Sequence, residues 1–255
     1  MTLRIIDSQL ASGVRVRDYL PSEAAREPFV WLHGGAFMWG GLDQHESDAV
    51  ARAIATAGRH VRTVDYRLVT PLDASGTPVA EDPHRYPAAT DDATEAVLDL
   101  SNAVGHVMLG GASAGACIAA SIVDRVADRL DAVVFAYGLF HEELPQPHPH
   151  GLGFLTARQI RAITRNYAGA AGRAAFPAGR DLSSFPRTLL VDADRDSLRA
   201  SSDAFAAELT GAAVPVTHEV VAGTTHGFLD QPEQEAFSSA IDLICRWLSQ
   251  RERRL

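Results

Sequence analysis

The segment Gly111-Ala-Ser113-Ala-Gly115 has the residue types and spacing of a reactive serine in a sharp turn. It follows a short apolar run at residues 107–110, typical of a buried strand, and precedes a longer run with helical spacing. A tight turn between a strand and a helix strains the backbone at the serine and projects its hydroxyl outward. Glycines on both sides leave room for the strand and the helix to pack closely. We therefore predict that Ser113 is a nucleophile; the alternative is a glycine-rich turn with an incidental serine.

A second glycine-rich motif, His33-Gly34-Gly35-Ala36-Phe37, follows the apolar run at residues 29–32. Consecutive glycines let backbone N–H groups turn toward a developing negative charge, where side chains would block the approach. A tight turn alone would explain the glycines but not the histidine before them, whose ring can hydrogen-bond the loop. The motif therefore predicts an oxyanion hole, the set of N–H donors that stabilises the intermediate of acyl transfer.

His226 is the predicted general base, because a serine hydroxyl is a poor nucleophile until its proton is removed. It lies in the polar segment 223–228, between the strand-like run 214–221 and the last predicted helix. Chains with this kind of serine turn place the acid and then the histidine after the serine. His226 fits that order, whereas His218 lies inside a predicted strand.

Three aspartates that follow a late strand-like run are candidates for the acid that orients the histidine: Asp192, Asp194 and Asp196. Asp192 belongs to the predicted strand end and Asp194 to the turn. Asp196 lies deepest in the loop, just before a helix, and is favoured, with Asp194 as the alternative. Any of the three could stabilise the imidazolium that forms during proton transfer.

Two groups of side chains have some features of metal-binding sites. The alternating aspartates resemble a calcium loop with Asp203 at its last position, but Ser197 replaces the required glycine and a strand precedes them where a helix should. Histidines and glutamates also cluster in a proline-rich segment, with a spacing that fits no regular ligand pattern: His141, His148, His150, Glu142 and Glu143. We expect no metal ion and no organic cofactor.

Short apolar runs alternate with longer segments of helical periodicity, which predicts a mostly parallel sheet with crossover helices. Strands are predicted at residues 3–6, 14–19, 29–32, 60–65, 104–109, 132–136, 188–191 and 214–221, the first two forming a hairpin. Helices are predicted at 46–57, 87–102, 114–130, 156–167, 199–209 and 233–250, with a long loop at 69–86. Because parallel strands bring their carboxyl ends to one edge, the candidate residues should meet there.

The segment 138–186 breaks this alternation, with several prolines and glycines and one predicted helix. It is too long for an ordinary connection between two elements. We therefore predict one domain over residues 1–255, with 138–186 inserted in it as a lid.

Composition and charge exclude several classes of protein. The 255 residues are 46% hydrophobic, as in a globular domain, and 23 Lys+Arg against 32 Asp+Glu give a net charge of −9. An acidic chain lacks the cationic face that binds nucleic acid. The two cysteines, Cys117 and Cys245, fit no disulfide framework. Without an apolar segment long enough for a signal or a membrane span, we expect no membrane partner and a cytoplasmic setting.

Taken together, several segments resemble the hormone-sensitive-lipase-like branch of the α/β-hydrolase esterases over roughly residues 28–250. They are HGGAF (33–37), DYRL (65–68), YPAATDDA (86–93), GGASAGA (110–116), RDSLRASSDAFAAEL (195–209) and THGF (225–228). The resemblance implies an α/β-hydrolase fold, with a mostly parallel central sheet and helices on both faces. It also implies a serine esterase that acts on small esters with short-to-medium acyl groups, with an amidase or formamidase as the alternative. A binding protein without catalysis is a third hypothesis, disfavoured because the catalytic residue types are present.

The same resemblance assigns roles to individual residues. It makes Ser113 the nucleophile, His226 the base and, by alignment of the family's DPLRDE motif with residues 196–201, Asp196 the acid. It places the oxyanion donors on the amides of three residues, Gly34, Gly35 and Ala114. Family members often dimerise through the sheet edge, so a homodimer is one implied arrangement.

Other residues near these motifs are either candidates for the substrate pocket or are interpreted as structural. Phe37, Met38 and Trp39 are candidates for the wall of the substrate pocket, with simple loop packing as the alternative. We interpret a group of charged and tyrosine side chains as structural: Asp65, Tyr66, Arg67, Asp91 and Asp92.

The chain also departs from the family pattern. Ala112 and Ala116 replace the usual Asp and Gly around the serine. Only about two dozen residues precede the HGG strand, where the family has a longer helical segment. We therefore expect the cap to come mainly from 138–186 and the pocket to be more open.

Overall fold

The structure is a computed structural model that describes residues 2–23, 27–73, 75–78, 81–145 and 155–250. Within these ranges the strands are β1 (Leu3–Gln9), β2 (Arg15–Pro21), β3 (Phe29–Leu32), β4 (Val61–Asp65), β5 (Val107–Ala112), β6 (Leu130–Ala136), β7 (Arg187–Arg195) and β8 (Val216–Thr225). The helices are α1 (His45–Thr56), α2 (Ala88–Val104), α3 (Ala114–Ser121), α4 (Val123–Val126), α5 (Ala157–Ala168), α6 (Arg199–Gly211) and α7 (Glu235–Leu248). Short 3-10 segments lie at Ala127–Arg129, Gly169–Ala175 and Phe228–Asp230.

All eight of these strands form one sheet in the order β1-β2-β4-β3-β5-β6-β7-β8. The pairs β1–β2 and β2–β4 are antiparallel, and the pairs from β4–β3 through β7–β8 are parallel. The prediction of a mostly parallel α/β sheet with an N-terminal hairpin is confirmed. Because the crossovers are helical, the carboxyl ends of β3, β5, β7 and β8 lie along one edge.

The central strands β3 to β7 are buried on both faces, as parallel strands with crossover helices require, whereas the edge strands β1 and β8 are mostly exposed or half-buried. Strand β3 shows this most simply, since Val30 and Leu32 face a core with α2, α3 and α6, while Phe29 and Trp31 face a second core with α1 and α7. All four side chains are fully buried. The continuous apolar run of β3 therefore supplies both layers by simple alternation.

Strand β5 and the helix after it differ from the prediction. Helix α2 continues to Val104, and Gly105, with a φ of 93°, ends it, so β5 begins only at Val107. The strand then includes Gly110 and Gly111, whereas Gly115 of the serine turn lies in α3. The single helix predicted over 114–130 is wrong, because the chain leaves helical geometry at Ile122 (φ −108°, ψ −3°). Ile122 and Val123 form a β-branched pair, which disfavours helix continuation.

Strands β7 and β8 are both longer than predicted at their carboxyl ends. The predicted turn at Asp194 is wrong, because β7 continues to Arg195, which pairs with Thr225 of β8 across a register shift. The hydroxyl of Thr224 accepts a hydrogen bond from the Asp194 amide at 3.3 Å, which joins the two strand ends. What was predicted as a polar loop is therefore sheet, and His226 directly follows a strand.

The segment 138–186 contains α5, close to the helix predicted at 156–167. A reciprocal pair of hydrogen bonds between Thr156 and Gln159 caps its first turn. Ile160, Ile163 and Tyr167 lie on its buried face. His148 and His150 of the same segment lie outside the described residues. In the part of the chain that is described, no helix has the length and apolar character to cross a bilayer.

Candidate active site

Ser113 lies at the sharp turn between β5 and α3, in the strained backbone conformation that the motif predicts. Its φ is 53° and ψ is −115°, a region that side chains rarely occupy. A Cβ at Gly111 would lie 2.5 Å from the carbonyl carbon of Gly115, and one at Gly115 would lie 2.2 Å from the Leu32 oxygen. Both glycines are therefore required by close packing of strand, helix and the loop after β3.

The structure brings Ser113, His226 and Asp196 together from three distant parts of the chain. Ser113 Oγ lies 3.0 Å from His226 Nε2, and His226 Nδ1 lies 2.7 Å from Asp196 Oδ2. The carboxylate of Asp196 is buried, and its second oxygen accepts the Leu198 amide at 2.9 Å. This arrangement can remove the serine proton and stabilise the resulting imidazolium.

The charges around His226 favour the protonated form of its ring. Burial disfavours the imidazolium, but the hydrogen bond and charge of Asp196, with a smaller contribution from Glu46, outweigh it and raise the pKa of His226 above its usual 6.5. The ring of Tyr137 packs edge-on against the imidazole, with centroids 5.0 Å apart. The ring is therefore held by an acid on one side and an aromatic neighbour on another.

The other two candidate acids bind elsewhere. Asp194 accepts a hydrogen bond from the Gly223 amide at 3.1 Å. Asp192 pairs with His218, with Oδ2 2.6 Å from Nε2, behind the site on β7 and β8. Of the three carboxylates, Asp196 is the one whose hydrogen bond to the His226 ring the structure shows.

The loop after β3 is held in place by its own histidine and by Tyr66. His33 Nδ1 lies 2.6 Å from the Gly34 oxygen, and Tyr66 donates its hydroxyl to the His33 oxygen at 2.7 Å. The His33 and Tyr66 rings stack with centroids 4.4 Å apart. Gly35 has a φ of 115°, and a Cβ there would lie 1.9 Å from the Trp39 oxygen. The loop therefore needs glycine at this position for both conformation and space.

Gly34 does not have the role that was predicted for it. Its single N–H donates to Glu46 Oε2 at 2.5 Å, so the prediction that this amide is an oxyanion donor is wrong. The amides of Gly35, Ala36 and Ala114 donate no hydrogen bond within the described ranges. Ala36, whose φ of 54° places it in the same turn, was not among the donors predicted from the sequence, which were Gly34 and Gly35 in this loop and Ala114 after the serine.

A cleft of about 960 Å³ opens over Ser113 and His226. Of the three predicted pocket residues, Met38 and Trp39 line it. Phe37 does not: it is 2% exposed and stacks on Tyr167 with ring centroids 3.9 Å apart, so its prediction as a pocket residue is wrong. Helix α5 and the residue two positions before it also line the cleft, through Leu155, Arg158, Gln159, Ala162 and Ile163.

Among the described residues, one group of side chains has the proximity of a metal site. Ligand atoms of Asp192, Asp203 and His218 lie within 4.8 Å of one another. However, His218 is already bonded to Asp192, and Arg199 faces Asp203 at 3.5 Å. These contacts form a partly buried charge network in which each group has a protein partner.

The residues interpreted as structural have the expected contacts. Arg67 binds both carboxylate oxygens of Asp92, which is 1% exposed, with the shortest contact at 2.6 Å. Arg125 pairs with Asp91 at 2.8 Å. These pairs join the segment after β4 to α2 and α4, away from Ser113.

Comparison with known proteins agrees with this architecture. A family model described as alpha/beta hydrolase fold matches residues 29–230, and the chain belongs to this family. Esterase LipI of Mycobacterium tuberculosis is 28% identical over 89% of this chain and 75% of its own length. Ethyl acetate hydrolase of Pseudomonas putida is 26% identical over 84% of this chain and 71% of its length. The esterase of Pyrobaculum calidifontis has a similar structure, with a TM-score of 0.81 and 27% identity over 96% of this chain and 84% of that one. The predicted resemblance to carboxylesterases of the α/β-hydrolase fold is confirmed.

Proposed function

We propose that this chain is a serine carboxylesterase that hydrolyses small esters through an acyl-enzyme intermediate. One observation carries the proposal: a continuous path of hydrogen bonds leads from Asp196 through His226 to the hydroxyl of Ser113, at the base of an open cleft. The relatives named above as esterases or as an ethyl acetate hydrolase support ester hydrolysis. None of these three names specifies an amide, so the amidase alternative gains no comparable support.

The proposed reaction has two stages. In the first, His226 takes the proton of Ser113 while Oγ attacks the ester carbonyl carbon, and the carbonyl oxygen becomes an oxyanion. His226 then returns the proton to the leaving alcohol as the carbon–oxygen bond breaks and an acyl-serine forms. In the second stage, His226 activates water in the same way, and the acid leaves with Ser113 restored.

We assign the oxyanion hole to the amides of Gly35, Ala36 and Ala114. All three belong to turns that are adjacent to Ser113, two in the loop after β3 and one at the first turn of α3. A donor of this kind contributes about 3–4 kcal/mol of stabilisation to the transition state. Asp196 keeps the His226 ring oriented and favours its charged form during the reaction.

We further propose that residues 138–186 form the cap of the cleft, because side chains of α5 line it together with Met38 and Trp39. The apolar side chains on this wall, including Leu155 and Ile163, suit an acyl chain of short to medium length. The homodimer and the cytoplasmic setting stay predictions from the sequence.

Two measurements test the catalytic proposal. The Ser113→Ala variant should lose at least about 10³-fold in kcat on p-nitrophenyl acetate and butyrate, since removing the nucleophile of such a triad leaves little turnover. A fluorophosphonate probe should label the wild-type chain on Ser113, and the variant should stay unlabelled. Retained turnover in the variant would refute the assignment, and an unlabelled wild type would favour a binding protein without catalysis.

A further inference from the structure

Glu46 is a buried carboxylate beside the proposed active site with no assigned role. It lies in the first turn of α1 and is 3% exposed. Its two oxygens are both engaged, Oε2 by the Gly34 amide at 2.5 Å and Oε1 by the Tyr137 hydroxyl at 2.5 Å. Neither partner is a cation, and burial raises the pKa of the Glu46 carboxyl. A carboxylate in the first turn of a helix stabilises the helix even when it is exposed to solvent. Burying the Glu46 carboxylate costs free energy, so helix stabilisation alone does not explain its position.

The contact with Gly34 fixes one peptide plane of the oxyanion loop from both sides. The His33 oxygen of that plane accepts the Tyr66 hydroxyl at 2.7 Å, and its Gly34 N–H donates to Glu46. Because a peptide is planar, two opposed hydrogen bonds prevent it from rotating. Space is also limited, since a Cβ at Gly34 would lie 2.3 Å from Glu46 Oε2 and 3.1 Å from the Ser113 Cβ.

The next peptide plane, Gly34–Gly35, has its own contact with His33, which sets where the Gly35 N–H points. The Gly34 oxygen faces the His33 ring at 2.6 Å, so the Gly35 N–H, on the opposite side of that trans peptide, points away from His33. Rotation of the Gly34 peptide would carry the following amides with it. Glu46 therefore bears on the direction of the Gly35 and Ala36 N–H groups without touching the substrate oxygen itself.

The second oxygen of Glu46 connects to the base. Tyr137 donates its hydroxyl to Glu46, and its ring packs edge-on against the His226 imidazole at 5.0 Å. The charge of Glu46 also favours the imidazolium form of His226. One carboxylate thus binds the loop directly and is linked to the base through Tyr137, so it reaches both parts of the site that must act together.

We propose that Glu46 is a positioning residue for the ester hydrolysis, holding the oxyanion loop through Gly34 and the His226 ring through Tyr137. The inference rests on the proposed function of Ser113, His226 and Asp196. Besides Asp196 and Tyr137, the other charged or titratable groups that act on Glu46 or His226 are Asp230, Tyr66 and Asp192. They stay unchanged in the variants below, so a changed pH profile reports the loss of the Glu46 charge.

The test compares Glu46→Gln and Glu46→Ala with wild type. The glutamine keeps an oxygen that can accept the Gly34 N–H, whereas alanine removes it. We expect kcat on p-nitrophenyl butyrate to fall about tenfold in Glu46→Gln and about 10²-fold in Glu46→Ala, with KM changed less than about threefold. Affinity for n-butylboronic acid, whose adduct with Ser113 imitates the oxyanion, should fall in parallel, because it reports transition-state binding.

The pH profile separates positioning from a merely structural role. Removing the Glu46 charge should lower the pKa of His226 and move the acidic limb of kcat/KM to lower pH. Asp18→Asn is the matched control, since Asp18 is a buried carboxylate bonded to His60 and Arg62 and distant in sequence and sheet from the cleft. It should lower thermal stability and leave kcat, boronate affinity and the acidic limb as in wild type.

The inference is overturned if Glu46→Gln and Glu46→Ala retain wild-type kcat and boronate affinity, or if Asp18→Asn reproduces their losses. If Glu46→Ala does not fold, Tyr137→Phe takes its place, because it removes only the hydroxyl that binds Glu46 and should also lower kcat and shift the acidic limb. Fluorophosphonate labelling of wild-type Ser113 keeps the two hypotheses apart. A labelled, active wild type with unaffected Glu46 variants rejects only the role of Glu46, whereas an unlabelled wild type rejects the proposed esterase.

Discussion

Asp196 and His226 are each the first residue after a strand, and those two strands end side by side. The last pair of β7 and β8 is Arg195 with Thr225, and one residue further Asp196 Oδ2 lies 2.7 Å from His226 Nδ1. The register of a parallel pair therefore sets this contact, rather than a flexible loop. Because successive side chains in a strand point to opposite faces, a shift of one residue would bring Arg195 or Thr225 to the position instead.

This placement predicts that Asp196→Asn is far more damaging than Asp194→Asn. An asparagine at 196 removes the charge that favours the imidazolium and can present its NH₂ to Nδ1, so we expect kcat to fall about 10³–10⁴-fold. Asp194 instead holds the Gly223 amide, and its asparagine variant should keep kcat within about threefold of wild type. Kinetics on p-nitrophenyl butyrate check both variants, and comparable losses in the two would contradict the assignment of the acid.

The pH dependence of activity follows from the raised pKa of His226. The base must be neutral to take the serine proton, so activity is lost as pH falls through that pKa. Because Asp196 and Glu46 hold it above the usual 6.5 against the effect of burial, the acidic limb of kcat/KM should have its midpoint above pH 6.5. A midpoint below 6.5 in the wild-type profile would show that burial dominates instead.

Sequence patterns were enough to predict the elements and site residues that depend on their neighbours in the chain. The G-x-S-x-G spacing requires a strained turn and small neighbours, and the structure has Ser113 at a φ of 53° between β5 and α3. Continuous apolar runs such as residues 29–32 are buried on both faces and are thus recognisable as central strands. The strand–helix alternation then fixes which ends of the strands meet.

Contacts set by register or by the path of a loop could not be predicted in this way. Nothing in the spacing between Gly34 and Glu46 indicates that the carboxylate accepts that amide, so the donor was misassigned. Phe37 illustrates the same limit, because its φ of 65° turns the side chain toward Tyr167 and away from the cleft. The extension of β7 through Asp194 depended on its partner strand, which a single run of residues does not reveal.

Gly35 provides a test of the oxyanion loop. In Gly35→Ala the added methyl group would meet the Trp39 oxygen at 1.9 Å and the residue would have to keep a φ of 115°. The loop must move, and with it the proposed donors at Gly35 and Ala36, so we expect kcat to fall by about 10²–10³-fold. Gly58→Ala is the control, because Gly58 also has a positive φ, 91°, but has no atom within 4 Å of the new Cβ.

That control should lower the free energy of unfolding by about 1 kcal/mol and leave kcat unchanged. Thermal or urea unfolding measured beside the kinetics separates strain from loss of the loop geometry. If both alanine variants lose activity in proportion to stability, the loop after β3 has no special part in the reaction.

The wall formed by α5 predicts how the enzyme selects its acyl group. Ile163 and Ile160 are both buried on α5, 7% and 2% exposed, but of the two it is Ile163 that lines the cleft. Ile163→Ala should enlarge the cleft and raise the ratio of kcat/KM for octanoate to that for acetate esters. The gain should be about fourfold for each methylene newly buried, since burial contributes about 0.8 kcal/mol per methylene.

Ile160→Ala removes the same atoms from the same helix and should cost about 2–4 kcal/mol of stability without changing that ratio. A series of p-nitrophenyl esters from acetate to octanoate, measured for both variants and wild type, decides the point. An unchanged ratio in Ile163→Ala would mean that the acyl chain does not contact α5.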